Sequence, residues 1–132
     1  MNDDLFNQLI KLGVYKRPAL EIARRFPDED MTRDVITASR ASGFKSLNID
    51  LIYGLPKQSV SSFADTVERV LELRPDRIAL YSYAHLPQRF KPQRRILDVD
   101  LPSAAEKLSI LARAIDLFNR AGYIYIGMDH FA

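Results

Sequence analysis

The sequence has 132 residues, of which 47% are hydrophobic and 27% charged, and its formal net charge is +2. These values are typical of one globular domain that is long enough to bury a core. So small a charge does not indicate a nucleic-acid-binding protein. Apolar runs such as 51–53 are far shorter than the roughly 20 residues that cross a bilayer. The acidic start, 1–4, lacks the positive region of a secretory signal, so we expect a cytoplasmic protein.

The chain contains no cysteine. Its residues therefore supply no disulfide, no thiolate nucleophile and no cysteine ligand for zinc or an iron–sulfur cluster. Any centre that needs thiolate ligands must obtain them from outside these 132 residues.

The first predicted elements are a helix and a strand. Residues 35–39 predict a short helix that ends at Gly43, because glycine readily adopts the left-handed conformation of a helix cap. Apolar and polar residues then alternate over Leu47–Tyr53, which predicts a strand with Asp50 on the face opposite the apolar residues.

A helix–strand pair follows. Apolar residues recur at i, i+4, i+7 and i+8 from Phe63, which predicts an amphipathic helix ending before Pro75. The next strand is predicted at Ile78–Ala84.

A last helix and a last strand complete the pattern. Ser103 and Glu106 have the spacing of a capping box and predict the start of a helix that ends at Gly122. A third strand is predicted at Tyr123–Met128. The apolar face of this helix is expected to contain Leu108, Leu111, Ala112, Ile115 and Phe118.

The order strand–helix–strand–helix–strand predicts right-handed βαβ units and an α/β fold with a parallel sheet. Residues 1–27 have a helical pattern without a strand, so we expect a helical segment at 1–27 and an α/β unit at 28–132. Parallel sheets are normally covered on both faces, so we expect this sheet to self-associate or to gain a rearranged cover.

Polar residues follow all three predicted strands. Because ligands gather at the carboxyl ends of parallel strands, we expect Asp50, Ala84–His85 and Asp129–His130 to meet at one rim. Asp50 points away from the predicted helices, which suits either a ligand contact or a structural hydrogen bond.

The two histidines with Asp50 and Asp129 could form a nitrogen–oxygen metal site. Structural histidines are the simpler interpretation, because the spacing is not that of a helical metal motif, so no metal is expected.

A basic run follows the second predicted strand at Arg89, Lys91, Arg94 and Arg95. It is either a solvated loop or an anion site, since arginine matches the geometry of carboxylates and phosphates.

The stretch Asn48–Gln58 resembles the DLIYGLPxQ segment of the oxygen-independent coproporphyrinogen III oxidase family of radical-SAM enzymes. The similarity extends in order from about Asp28 to the last residue. Two segments, Tyr83–Pro87 and Gly127–Ala132, resemble the true oxidases and not their haem-chaperone relatives. Further matching segments are Pro75–Arg77, Gln93–Arg95, Leu101–Pro102 and Gly122–Tyr123.

This resemblance implies a partial radical-SAM (β/α) barrel with about three parallel strands and flanking helices. It also implies a role in haem biosynthesis, in which two propionates of coproporphyrinogen III are decarboxylated to vinyl groups, giving protoporphyrinogen IX. The family uses S-adenosylmethionine and a [4Fe–4S] cluster. By this resemblance, Asp50, Ala84 and Arg25 match positions that bind S-adenosylmethionine. We further hypothesise that Arg89, Arg94 and Arg95 bind the carboxylates of the substrate.

The chain departs from the family because the Cys-x-x-x-Cys-x-x-Cys motif and the glycine-rich segment are absent. No cluster can be held without thiolates, so the isolated chain is expected to be inactive. Three interpretations follow: a fragment of the oxidase, a non-catalytic remnant or binding module, and a metal enzyme built on Asp50, His85 and His130. A separate chain that supplies the missing half of the barrel is a possible partner; nucleic acid and membrane are not expected partners.

Overall fold

The computed structural model describes residues 29–132, which fall into two units divided after Lys45. The predicted helical segment 1–27 lies outside the described residues, so the division at 27/28 stays a prediction. Within residues 29–132, no helix combines the length and apolar character needed to span a membrane.

In the first unit, α1 covers Glu29–Ala41. An ion pair of 3.0 Å joins Arg33 to Glu29 one turn earlier. The helix is followed by Gly43 at φ +86°, and the backbone N–H of Gly43 donates to the Arg40 carbonyl at 3.0 Å. The predicted glycine stop is confirmed.

The second unit contains four strands and two long helices. In chain order they are β1 (Asn48–Tyr53), α2 (Val60–Glu72), β2 (Arg77–Ser82), α3 (Ala104–Arg120), β3 (Tyr125–Gly127) and β4 (His130–Phe131). Two short 3₁₀ segments, Lys91–Arg95 and Asp98–Asp100, lie between β2 and α3. The four strands form one sheet in the order β1-β2-β4-β3.

The core lies where α2 and α3 pack against one face of the sheet. Leu51, Leu80 and Phe131 supply the sheet side, and the Phe118 ring of α3 lies 4.9 Å from the Phe131 ring, centroid to centroid. From α2, Phe63, Val67 and Val70 are buried in this core, as their spacing predicted.

The buried face of α3 differs in part from the predicted one. Ile110, Ala114 and Phe118, spaced i, i+4 and i+8, are buried, whereas Leu108 is 67% exposed and Ala112 is exposed. Apolar residues occupy two adjacent stripes of this helix, so periodicity alone did not decide which stripe faces the sheet.

The expectation of about three parallel strands is corrected, although the α/β class is confirmed. Only β1 and β2 are parallel; β4 pairs antiparallel with both β2 and β3. The predicted strand Tyr123–Met128 is instead a hairpin that reverses at Met128 and Asp129, which have φ of +50° and +62°. Two consecutive positive φ values are typical of a type I′ turn. The Met-Asp pair lacks the glycine by which such turns are usually recognised.

Both long helices of the second unit begin with capping boxes. At α3 the Ser103 N–H donates to Glu106 Oε2 at 2.8 Å, and the Glu106 N–H donates to Ser103 Oγ at 3.2 Å, as predicted. These bonds to the Ser103 backbone and hydroxyl lower the pKa of Glu106. At α2 the equivalent pair is Ser59 and Ser62, which the sequence analysis did not identify.

Candidate functional site

The sheet face opposite the helices carries the polar residues of β1. Asp50 pairs in register with Ala79, and Ala79 pairs with His130. Residues paired across strands place their side chains on the same face, so Asp50 and His130 flank the small Ala79 in one row. The structure therefore brings together two of the three predicted clusters.

The Asp50 carboxylate is exposed on this open face. Asn48, on the same face, donates from Nδ2 to Asp50 Oδ1 at 2.5 Å. A carboxylate has about four acceptor sites, so one such bond orients the group and leaves capacity for a ligand.

The His130 ring has a defined tautomer. Its Nδ1 lies 2.6 Å from the Met128 carbonyl oxygen, and a carbonyl can only accept, so Nδ1 carries the hydrogen. The ring meets Tyr81 edge-on with centroids 6.2 Å apart. When the imidazole is neutral, Nε2 is therefore the acceptor.

The Ala84–His85 cluster lies past the carboxyl end of β2, which ends at Ser82. Asp50, in contrast, is the third residue of its strand and not at its tip. The expectation of three strand tips at one rim is therefore corrected. Two clusters share a row within the sheet, and the third begins the loop after β2.

The His85 ring is held at both nitrogens. Nδ1 lies 3.2 Å from the Tyr83 hydroxyl, and Nε2 lies 3.1 Å from Asp98 Oδ1. Partial burial raises the pKa of Tyr83. Across residues 29–132, no three His, Asp or Glu side chains are grouped to hold a metal ion. His85 instead joins the start of this loop to its end.

Gln58 organises the turn after β1. Its Oε1 accepts from the N–H groups of Gly54 at 2.6 Å and Leu55 at 3.3 Å, and its Nε2 donates to the Ile52 carbonyl at 3.2 Å. The loop between β2 and α3 also contacts this turn, because the Lys57 N–H donates to the Asp100 carbonyl at 2.6 Å.

Gln93 does the same for the loop after β2. Its Oε1 accepts from the Leu86 N–H at 2.6 Å, and its Nε2 donates to the Ala84 carbonyl at 3.0 Å. Next to it, Arg94 donates from Nε to the Pro87 carbonyl at 3.0 Å. Sequence analysis missed Gln58 and Gln93 as site residues, although both lie in segments that match the family.

Comparison with known proteins gave consistent results from sequence and structure. The chain is 48% identical over 129 residues to an oxygen-independent coproporphyrinogen III oxidase of Pseudomonas aeruginosa, covering 96% of the chain and 28% of the relative. It is 44% identical to the enzyme of that name from Thermostichus vulcanus, covering all of the chain and 43% of the relative. The solved coproporphyrinogen III oxidase of Escherichia coli, described as a radical SAM enzyme, matches with 51% identity and a TM-score of 0.80. That match covers 85% of the chain and 26% of the solved structure.

The chain is homologous to part of the oxygen-independent coproporphyrinogen III oxidases. It spans less than half the length of each of these relatives. No family model matches the chain. The predicted relationship to the family is confirmed. The small share of each relative that the chain covers agrees with the prediction that it corresponds to a fragment of the oxidase.

The individual site residues remain predictions. Asp50 and Ala84 lie where described above, on the open face and at the start of the loop after β2. Arg25 lies outside the described residues. Of the predicted anion-binding arginines, Arg94 is engaged with the Pro87 carbonyl through Nε, whereas the side chains of Arg89 and Arg95 have no hydrogen-bond or ion-pair partner among residues 29–132.

Proposed function

We propose that this chain forms one wall of the active-site cavity of an oxygen-independent coproporphyrinogen III oxidase. The proposed reaction decarboxylates two propionates of coproporphyrinogen III to vinyl groups in cytoplasmic haem biosynthesis. The observation that carries the proposal is the 51% identity and TM-score of 0.80 to the Escherichia coli oxidase. The open sheet face, with its polar row, is the wall that we assign to the cavity.

S-adenosylmethionine fits the proposed site through the acceptors on this face. Its ribose hydroxyls and its ammonium group are donors, which suit a carboxylate oriented as that of Asp50 is by Asn48. Ala84 lies in the loop that follows β2. It has no polar side-chain atom, so it can contribute only its backbone or its methyl group. When bound, S-adenosylmethionine would supply the source of the radical that initiates the reaction.

The [4Fe–4S] cluster does not fit these residues. Such clusters are held mainly by cysteine thiolates, and the 132 residues contain none. We therefore assign to this chain no role in ligating the cluster and no reaction step through it.

The carboxylates of coproporphyrinogen III have a proposed partner in the loop after β2. We favour Arg89 and Arg95 as direct ligands, because Arg94 Nε is engaged with the Pro87 carbonyl. Arg94 then acts mainly by fixing the shape of the 3₁₀ segment that carries Arg95.

Calorimetric titration of the chain with S-adenosylmethionine tests the cofactor proposal. We expect saturable binding that Asp50→Asn weakens about tenfold, the effect of losing roughly one charge-assisted hydrogen bond. The matched control is Asp65→Asn, which removes an exposed carboxylate from α2. Absence of binding, or equal binding by both variants, would refute the assignment of Asp50.

Anaerobic vinyl-product analysis tests the reaction. The chain is mixed with a separately produced barrel half that carries the cysteine motif, and protoporphyrinogen IX is measured after oxidation to the fluorescent porphyrin. Product that requires both halves supports the oxidase assignment. Saturable S-adenosylmethionine binding without product would favour a non-catalytic binding module.

A further inference from the structure

The two peptide groups on either side of Ala84 are each held by a side chain from elsewhere in the unit. The Tyr83 carbonyl accepts from Lys107 Nζ at 3.0 Å, and the Ala84 carbonyl accepts from Gln93 Nε2 at 3.0 Å. Lys107 comes from the first turn of α3, and Gln93 comes from the 3₁₀ segment Lys91–Arg95, which precedes that helix. The two peptide planes are therefore fixed by independent elements.

Fixing the carbonyls also fixes the N–H groups. In a planar trans peptide the N–H points opposite to the C=O, and no peptide bond within residues 29–132 is cis. The N–H of Ala84 therefore points away from Lys107, and that of His85 points away from Gln93. Within the described part of the chain, neither N–H has a hydrogen-bond partner. Ala84 itself is exposed.

The position of Lys107 is not explained by helix stability. A cation in the first turn of a helix opposes the helix dipole, which favours negative charge there. Lys107 nevertheless packs there, with Nζ 5.9 Å from the centre of the Tyr53 ring. A Cβ on Gly54 would lie 2.7 Å from Lys107 Cε, so the glycine leaves the space that the lysine occupies. The geometry directs the ammonium to the Tyr83 carbonyl at the ends of the two parallel strands.

We infer that Lys107 and Gln93 are positioning residues that hold the N–H groups of Ala84 and His85 as a preformed pair of donors. The acceptor for this pair is a heteroatom of the nucleoside part of S-adenosylmethionine. This inference rests on the proposed function for the identity of the ligand. We call the two hydrogen bonds from Lys107 and Gln93 to the Tyr83 and Ala84 carbonyls the clamp. The clamp does not depend on the proposed function, because both bonds lie within the chain.

The clamp is tested without a ligand by ¹⁵N relaxation of the labelled chain. We expect order parameters near the rigid backbone value of about 0.85 at Ala84 and His85. Gln93→Glu keeps an acceptor for the Leu86 N–H but cannot donate to the Ala84 carbonyl, so it should lower both values. The matched control, Gln88→Glu, adds the same charge at an exposed position of the same loop. Unchanged values in Gln93→Glu, or an equal drop in the control, would overturn the clamp.

The role in binding is tested by titrating S-adenosylmethionine into the same proteins. Lys107→Met should raise the dissociation constant about tenfold, and Lys107→Arg should restore part of the affinity. Lys45→Met is the control for loss of an exposed positive charge. A wild-type chain that shows no saturable binding, but keeps rigid amides at Ala84 and His85, would refute the ligand and retain the clamp. Binding that Lys107→Met leaves unchanged would refute the positioning role alone.

Discussion

Replacement of Gly54 by alanine should destabilise the second unit through two separate effects. Gly54 has φ +86°, a conformation that costs a non-glycine residue about 1–2 kcal/mol. The new Cβ would also lie 2.7 Å from Lys107 Cε. The flexible lysine can move aside, but its hydrogen bond to the Tyr83 carbonyl is then lost, at about 1 kcal/mol for a partly solvated group. We therefore expect Gly54→Ala to lower the free energy of unfolding by about 2–3 kcal/mol.

A double-mutant cycle with Lys107→Ala separates these effects, measured by urea unfolding with circular dichroism. In the Lys107→Ala background the steric conflict is absent, so Gly54→Ala should cost only the backbone part, about 1–2 kcal/mol. An equal cost in both backgrounds would show that Lys107 does not pack against Gly54. A cost near zero in both would show that the turn does not require a positive φ.

Three further predictions concern the helices. Phe118→Ala should lower the free energy of unfolding in urea by about 3–5 kcal/mol, because the ring is fully buried. Leu108→Ala, at a 67% exposed position, should lower it far less. Similar losses in the two variants would contradict the assigned face of α3. Ser103→Ala should cost about 1 kcal/mol by loss of the capping box, and an unchanged melting temperature would argue against the cap. The lowered pKa of Glu106 gives a stabilising contribution that is present above its unfolded pKa and lost as the pH falls through the folded pKa. Glu106→Gln should therefore reduce the acid-range loss of stability seen by pH-dependent melting, and identical pH profiles would contradict this.

Local patterns predicted the α2 core stripe, the capping box at Ser103 and the face of Asp50, because each depends on residues close in sequence. The hairpin at Met128 was missed for the opposite reason. Its turn residues carry no glycine signal, and its strand order is decided by pairing with β2, where His130 pairs with Ala79 and Phe131 with Ile78. The buried stripe of α3 was likewise set by which side meets Phe131 and not by the helix alone.

The site was predictable to the extent that its residues offer functional groups. Asp50 presents a carboxylate from a strand, so alternation alone placed it on the open face. The side chains that shape the site act on the backbone and gave no such signal. Gln58 and Gln93 are ordinary polar loop residues in the sequence, but in the folded chain each holds one turn by donating and accepting at once.

Contacts made by residues of the segment Asn48–Gln58 connect it to both parts of the proposed site. Its last residue, Gln58, holds the N–H of Gly54, and Gly54 leaves the space in which Lys107 reaches the Tyr83 carbonyl. Its first residue, Asn48, orients the carboxylate of Asp50. Within this segment, then, the function we propose needs only Asp50 to meet a ligand. Gln58 and Gly54 act on the geometry of the two strand ends, so substituting them should alter affinity through the backbone around Ala84, whereas substituting Asn48 should act through Asp50.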